Sequence, residues 1–182
     1  VAQTYGAATV ARPLVLATDT ALTHPVVLHA LDMMEQRTGR RYGAVVLLQP
    51  TTPLRSTADI DGSVGKLIDT GANAVISVVE SPGINPEWMK YVVDDQLVDY
   101  DAALQDMGRR QDARKIYIRN GAVYATRVPI FRASGTFKAG ICRPYIMPEE
   151  TWVNIDTPRD WLLAEALMKE QDWSRIAPRK KV

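Results

Sequence analysis

Short apolar runs alternate along this chain with stretches whose apolar residues recur every three to four positions. Ala44-Val45-Val46-Leu47-Leu48 is an unbroken, β-branched-rich run and Ala74–Val79 nearly so, which predicts strands covered on both faces. Between such runs lie helical periods. Val26, Val27, Ala30, Leu31 and Met34 share one face, with Thr23 as an N-cap, Pro25 in the first turn and Gly39 as the stop. Ser56 with Asp59 three residues later is a near capping box for a helix through about Asp69, closed by Gly71. Ahead of these, Val1 to Tyr5 reads as a last helical turn ended by Gly6, and Ala8–Val10 as a short strand.

The second half has a different rhythm. Tyr91-Val92-Val93, the polar Asp94-Asp95-Gln96, then Leu97 and Val98 predict a hairpin. Ile116–Ile118 and Ala122–Thr126 read as strands separated at Asn120-Gly121, where the glycine is also consistent with a strand bulge. A short helix near Val128–Ala133 and a strand around Cys142–Met147 follow. In VNIDTPRDW, Thr157 caps, Pro158 takes the first helical position, and the helix runs from Asp160 to about Lys169. The sum is an α/β fold, mainly parallel, with a hairpin-rich insertion. Residues 1–170 are read as a single domain and 171–182 as a basic tail.

With 182 residues and 46% apolar content, the chain can bury one good core. A net charge of +1, from 22 basic and 21 acidic residues, advertises neither nucleic acid nor a membrane surface. Arg175 and Arg179-Lys180-Lys181 then read as a solvated end. The one cysteine, Cys142, excludes an internal disulfide and fits a reducing compartment, so a cytoplasmic location is expected. His24 and His29 are the only histidines, which argues against a His-rich metal centre; His29, among Val27, Leu28, Ala30 and Leu31, reads as a packed helix residue.

Chemistry concentrates after the first long strand. Gln49-Pro50-Thr51-Thr52-Pro53-Leu54-Arg55 lies at a strand's carboxyl end, ahead of a helix N-terminus, where open α/β sheets bind ligands. The prolines stiffen this loop, and its amide and hydroxyls suit a polyhydroxylated ligand. The alternative is a rigid turn whose polar groups satisfy their own backbone.

LLQPTTPLRSTADI resembles the signature of the acylneuraminate cytidylyltransferases, the CMP-nonulosonate synthetases. RPLVLATDTALTHPVVLHALD, RRQD (Arg109–Asp112), NGAVY (Asn120–Tyr124) and NIDTPRDWLLAEAL (Asn154–Leu167) are similar to further motifs of that family, in its order. The resemblance implies a Rossmann-like nucleotidyltransferase fold and CMP transfer from CTP to the anomeric hydroxyl of a nonulosonic acid, with Mg²⁺ as cofactor. It also implies a homodimer whose hairpin-bearing segment forms the interface. Carried over by motif, Arg12 and Thr23 contact the cytidine, while Gln49 and Thr51 line the sugar pocket. Arg110 pairs with the sugar carboxylate, Lys90 is a second cation there, Asn120 and Tyr124 shape the pocket, and Phe137 reaches a partner subunit's acyl pocket. Arg12 and Arg110 also read as surface arginines, and Phe137 as core.

The family's metal motif is Asp-Ile-Asp; this chain has Asn154-Ile155-Asp156. Residues i and i+2 of a strand project to one side, so Asp156, also the expected catalytic carboxylate, and the Asn154 amide oxygen can face one Mg²⁺. The same stretch also reads as no more than a helix start. The family opens with a strand and a glycine-rich phosphate loop, on the order of fifty residues with the helix and strand that follow. The glycines here form no such loop, so an N-terminally incomplete chain, inactive by itself, is expected. From another class, a non-catalytic cytidine- or sugar-binding paralogue is the alternative; within enzymes, it is a 3-deoxy-manno-octulosonate cytidylyltransferase.

Overall fold

A computed structural model describes residues 2–81, 83, 85–104 and 114–170. Its main elements are helix α1 (Thr23–Thr38), strand β1 (Ala44–Leu47), helix α2 (Thr57–Asp69), strands β2 (Ala74–Glu80), β3 (Lys90–Val93), β4 (Gln96–Asp99) and β5 (Tyr117–Arg127), helix α3 (Val128–Ser134), strand β6 (Cys142–Met147) and helix α4 (Pro158–Glu170). The chain forms two compact units. One comprises Val1–Gln49, Ala58–Ile76 and Val123–Tyr145; the other comprises Pro50–Thr57, Ser77–Ala122 and Ile146–Val182. Among the described residues, no helix is long and apolar enough to cross a membrane.

The larger sheet has the order β1-β5-β2-β6. β1 pairs antiparallel with β5, with Ala44 opposite Arg127 and Leu47 opposite Tyr124. At one end of β2, the Arg127 N–H donates to the Asn73 carbonyl (3.0 Å); at the other, the Ser81 N–H donates to the Ile116 carbonyl (2.9 Å). β2 therefore starts where β5 ends, and the two are antiparallel. The N–H groups of Asn73 and Ala74 both donate to the Ile141 carbonyl (2.9 and 3.2 Å), so β6 starts beside the start of β2 and runs with it. Three strands share one direction and β5 opposes them. The expectation of a mainly parallel sheet thus holds for direction but not for pairing. The physical reason is the route: among the described residues the connection from β2 to β5 carries the β3–β4 hairpin, and an antiparallel return needs no helical crossover.

Four local expectations are corrected. β1 is half-buried along its length, not covered on both faces, because it is an edge strand; its apolar run faces Val26, Ala30, Leu31 and Met34 of α1 across an open groove of about 350 Å³. The fully covered strand is β2, with Ala74, Val75, Ile76, Ser77 and Val79 buried. Ala8–Val10 forms no strand, since nothing offers it a ladder; a side-chain bond from Arg37 to the Thr9 carbonyl (2.9 Å) holds this segment. Thr23 is the first helical residue of α1, and Leu22 occupies the cap position with no side-chain bond. Gly39 ends that helix at φ +67°, as expected. Asn120-Gly121 does not interrupt β5, which runs through Gly121 at φ +80°.

In the first unit the core is Leu67, Ala72, Val75 and Ala125, with Ala44, Val46 and Tyr145 packed against it. Arg127 donates from Nε to the Ala72 carbonyl (2.8 Å) and from Nη2 to the Leu67 carbonyl (3.0 Å), placing a cation at the C-terminal end of α2. The buried Glu35 carboxylate accepts bonds from Arg41 (2.6 Å), Arg132 (3.2 Å) and the Tyr42 N–H (3.3 Å). Burial raises its pKa, but the Tyr42 N–H and the two guanidiniums outweigh it, and the net shift is downward. A depressed folded-state pKa contributes stability above the unfolded value that is lost as pH falls through the folded one. Glu35→Gln should therefore lower Tm near neutrality, and the gap to wild type should close in thermal melts as pH drops below the carboxylate range. A gap that persists at low pH would show that the charge is not the cause.

In the second unit, Leu54, Val153 and Ala164 form the core, with Ile155 and Leu167 against it. β3 and β4 make a separate two-stranded sheet, turned at Asp94 and Asp95 with φ of +49° and +60°. Two consecutive positive φ values are the mark of a type I′ hairpin turn, which aspartate tolerates. The predicted hairpin is present.

Candidate active site

The loop from Gln49 to Arg55 is anchored from within. Leu54 is buried in the core of the second unit, and the Thr52 side chain is fully buried two residues before it. Thr52 Oγ1 donates to the Asn120 carbonyl (3.2 Å) and lies 3.4 Å from Asn154 Oδ1, to which it can also donate. Arg55 donates to the Thr52 carbonyl (2.6 Å) and reaches the Ala122 carbonyl at 3.5 Å. Partial burial shifts its guanidinium pKa downward from a very high ordinary value, which leaves it charged. The Ile155 N–H donates to the Thr51 carbonyl (2.8 Å). Loop, β5 and the Asn154-Ile155-Asp156 segment are thus stitched together in one polar cluster.

Asn120 lies at its centre and is 1% exposed. Its Oδ1 accepts from Ser77 Oγ (2.6 Å) and from the Ala122 N–H (3.3 Å), and its Nδ2 faces Met147 Sδ at 3.1 Å. Each polar atom of the amide has a partner inside the fold, as burial demands. Asn120 can therefore support a pocket from behind.

Asn154 and Asp156 come together as their spacing predicts, although Val153–Ile155 belongs to no ladder strand. The Asn154 Nδ2 group donates to Asp156 Oδ2. The Asp156 side chain is exposed and takes no part in capping α4. That task falls to its neighbours: Asp160 Oδ2 accepts from the Thr157 N–H (2.8 Å), Thr157 Oγ1 (2.8 Å) and the Asp156 N–H (3.1 Å), while the Asp160 N–H donates back to Thr157 Oγ1 (3.3 Å). This is a reciprocal capping box. Its bonds, first of all from the Thr157 side chain, draw the Asp160 pKa down. Among the described residues, no three His, Cys, Asp or Glu side chains converge; at Asn154 and Asp156 a cation would meet one carboxylate and one amide.

The structure thus gathers Thr51, Asn120, Asn154 and Asp156 in the second unit. Lys90, in the same unit, stands on the hairpin in an ion pair with Asp99. Arg12, Thr23, Gln49, Tyr124 and Phe137 lie in the first unit. Arg12 reaches the Leu16 carbonyl at 3.5 Å and lines a cavity of about 400 Å³ with Val10, Val26 and His29. His29 is half-buried, with Nε2 3.1 Å from the Ala11 carbonyl. Phe137 packs on Phe131 (4.6 Å between ring centres) and Tyr124 (5.9 Å), within its own unit. Arg110, with the rest of RRQD, lies outside the described residues, as does the 171–182 tail.

No protein-family model matches the chain. It is 30% identical over 156 residues to the CMP-N,N'-diacetyllegionaminic acid synthase of Legionella pneumophila, an overlap of 85% of this chain and 66% of that protein. It is 29% identical over 180 residues to the N-acylneuraminate cytidylyltransferase of Escherichia coli, covering 97% of this chain and 41% of the relative. Both relatives match the acylneuraminate cytidylyltransferase family that the sequence motifs resemble. A third relative, the post-translational flagellin modification protein B of Campylobacter coli, is 26% identical over 157 residues, which is 86% of this chain and 66% of the relative. The chain therefore spans less than two thirds of the length of the curated relatives it matches.

The sequence motifs cover the loop and the Asn154–Asp156 pair but give no sign of Thr52, Ser77 and Arg55 as the residues bonded behind them. Ser77 left one signal, a lone hydroxyl inside the apolar run of β2. Nothing in the sequence pairs it with a residue 43 positions away.

Proposed function

We propose that this chain carries the sugar-binding and metal-binding part of a cytidylyltransferase that moves CMP from CTP to the anomeric hydroxyl of a nonulosonic acid. The single observation behind this reading is the kinship with a CMP-legionaminic acid synthase and an N-acylneuraminate cytidylyltransferase. The polar cluster of Thr51, Thr52, Asn120, Asn154 and Asp156, which falls on the same motifs, supports it.

In the proposed reaction the anomeric oxygen forms a bond to the α-phosphorus of CTP. The bond from that phosphorus to the bridging oxygen breaks, pyrophosphate leaves, and the hydroxyl proton passes to solvent or base. Positioning and charge neutralisation do most of the work in such transfers. Mg²⁺, when bound, supplies positive charge at the phosphoryl oxygens. The residues present fit it: Asp156 offers an exposed carboxylate and Asn154 a neutral oxygen, and Mg²⁺ takes one or two carboxylates and completes its shell with water and substrate phosphates. Gln49 and Thr51 hydrogen-bond sugar hydroxyls, with Asn120 holding the pocket wall. The planar guanidinium of Arg110 suits the sugar carboxylate. Lys90 joins it only by exchanging Asp99 for the ligand. Arg12 and Thr23 serve the cytidine, Tyr124 shapes the sugar pocket, and Phe137 reaches a partner subunit's acyl pocket.

The test is pyrophosphate release by the protein as the cell makes it, supplied with CTP, Mg²⁺ and sialic, legionaminic or pseudaminic acid in turn. Release that requires both CTP and one of these acids supports the reading. Preference for 3-deoxy-manno-octulosonate would move the chain to the other group of cytidylyltransferases, and no release with any acid would remove the reading.

The proposed assembly is a homodimer through the hairpin. Val92 (74% exposed) and Leu97 (77% exposed) are register partners on one face, and Tyr91 and Val98 on the other are also exposed. A two-stranded ribbon with this much apolar surface gains from a cover. The double variant Val92→Lys, Leu97→Lys should convert a dimer to a monomer in light scattering at micromolar concentration. A monomeric wild type, or a variant that stays dimeric, would count against this interface.

A further inference from the structure

We propose that Thr52 is a positioning residue whose buried hydroxyl allows either end of the Asn154 amide to face Asp156. The inference rests on the cation reading above and deepens it. In the structure Asn154 presents Nδ2 to the Asp156 carboxylate, leaving Oδ1 turned towards Thr52 Oγ1 at 3.4 Å. The reverse orientation would set two acceptor oxygens against each other, so without a cation the carboxylate fixes the amide this way. A cation shared by Asp156 and Asn154 needs the opposite: Oδ1 must take the place of Nδ2. Turning the amide carries Nδ2 to the side of Thr52, where it requires an acceptor.

A hydroxyl serves both states. Thr52 Oγ1 lies within bonding distance of two acceptors, Asn154 Oδ1 and the Asn120 carbonyl at 3.2 Å, and has one hydrogen to give. With Oδ1 facing it, Thr52 can donate to Asn154 or to the Asn120 carbonyl. With Nδ2 facing it, Thr52 accepts from Asn154 and donates to the Asn120 carbonyl. Each state keeps the buried hydroxyl satisfied. The surroundings are rigid enough to preserve this exchange: the Thr52 side chain is fully buried, its carbonyl is held by Arg55, and Asn120 is locked by Ser77. An aspartate in place of Asn154 would have no amide to turn. Asparagine at this position therefore gives Thr52 a part in cation binding that a pair of carboxylates would not need.

The experiment is a double-mutant cycle read by Mn²⁺ binding in EPR titrations of the full protein without substrates. Thr52→Val removes the hydroxyl at nearly constant shape and should weaken Mn²⁺ binding about tenfold, the lower end for a partner behind a ligand. Thr52→Ser should restore binding. In an Asn154→Asp background, Thr52→Val should change Mn²⁺ affinity by less than about twofold, because no amide has to reorient. Equal losses in both backgrounds, or no loss in either, would overturn the proposal. If Thr52→Val does not fold, Thr52→Ala takes its place in the same cycle. Asp156→Asn separates this inference from the reading beneath it. If that variant binds Mn²⁺ as tightly as wild type, the cation site itself is wrong; if it loses binding while the Thr52 cycle shows no coupling, only the role of Thr52 fails.

Discussion

Asp156→Ala should abolish CMP transfer while leaving the fold intact. Both halves of this expectation follow from the same geometry. The α4 cap is built by Thr157 and Asp160, whose reciprocal bonds do not use the Asp156 side chain, and Asp156 is exposed. Loss of its carboxylate therefore costs little packing. It does remove the only anionic group of the Asn154–Asp156 pair, and with it the charge that would hold Mg²⁺ against the triphosphate. Changes to groups merely supporting a ligand alter metal affinity by about 10–100-fold, so removing the carboxylate itself should lower kcat/KM by more than about a hundredfold. Thermal melts should place the variant close to wild type. Retained activity with an unchanged Mg²⁺ dependence would show that this segment is only a helix start.

The second large effect concerns the sugar acid. Arg110→Ala should weaken nonulosonic acid binding by roughly ten- to a hundredfold, since a charge-assisted contact is worth about 1.5–3 kcal/mol. CTP binding should change far less, because the expected partner is the sugar carboxylate. Calorimetric titration of each ligand in turn checks this. Equal loss for both would assign Arg110 to the triphosphate or to the fold.

Local rules made most of the elements legible. Gly39 and Gly71 end α1 and α2, Asp94-Asp95 turns the hairpin, and Pro158 opens α4 behind its Thr157 cap. Each signal is carried by neighbouring residues, so no tertiary knowledge is needed. The errors arose where a distant partner decides. The run at β1 has the composition of a central strand, yet it sits at the sheet edge as described. The direction of β5 depends on how the chain returns from the hairpin, which no periodicity records. Ala8–Val10 has strand-like residues but no ladder.

The candidate site divides in the same way. The loop and the Asn154–Asp156 pair are contiguous motifs and could be read from the sequence. The supports behind them join residues 68, 102 and 43 positions apart: Thr52 with Asn120, Thr52 with Asn154, and Ser77 with Asn120. A buried hydroxyl on an apolar strand becomes meaningful only when its partner is seen. Phe137 shows the converse: within its own unit it packs against two aromatic rings, a contact that its place in the sequence does not reveal.

The most direct test of the central claim is the identity of the product. The protein as the cell makes it would be incubated with Mg²⁺, CTP and a nonulosonic acid labelled with ¹⁸O at the anomeric hydroxyl, and the nucleotide products analysed by mass spectrometry. The account predicts a CMP-sugar acid that retains the ¹⁸O in its bridge to phosphorus, formed in equal amount with pyrophosphate. Conversion of CTP without a CMP-sugar acid, or a CMP-sugar acid lacking the label, would contradict it.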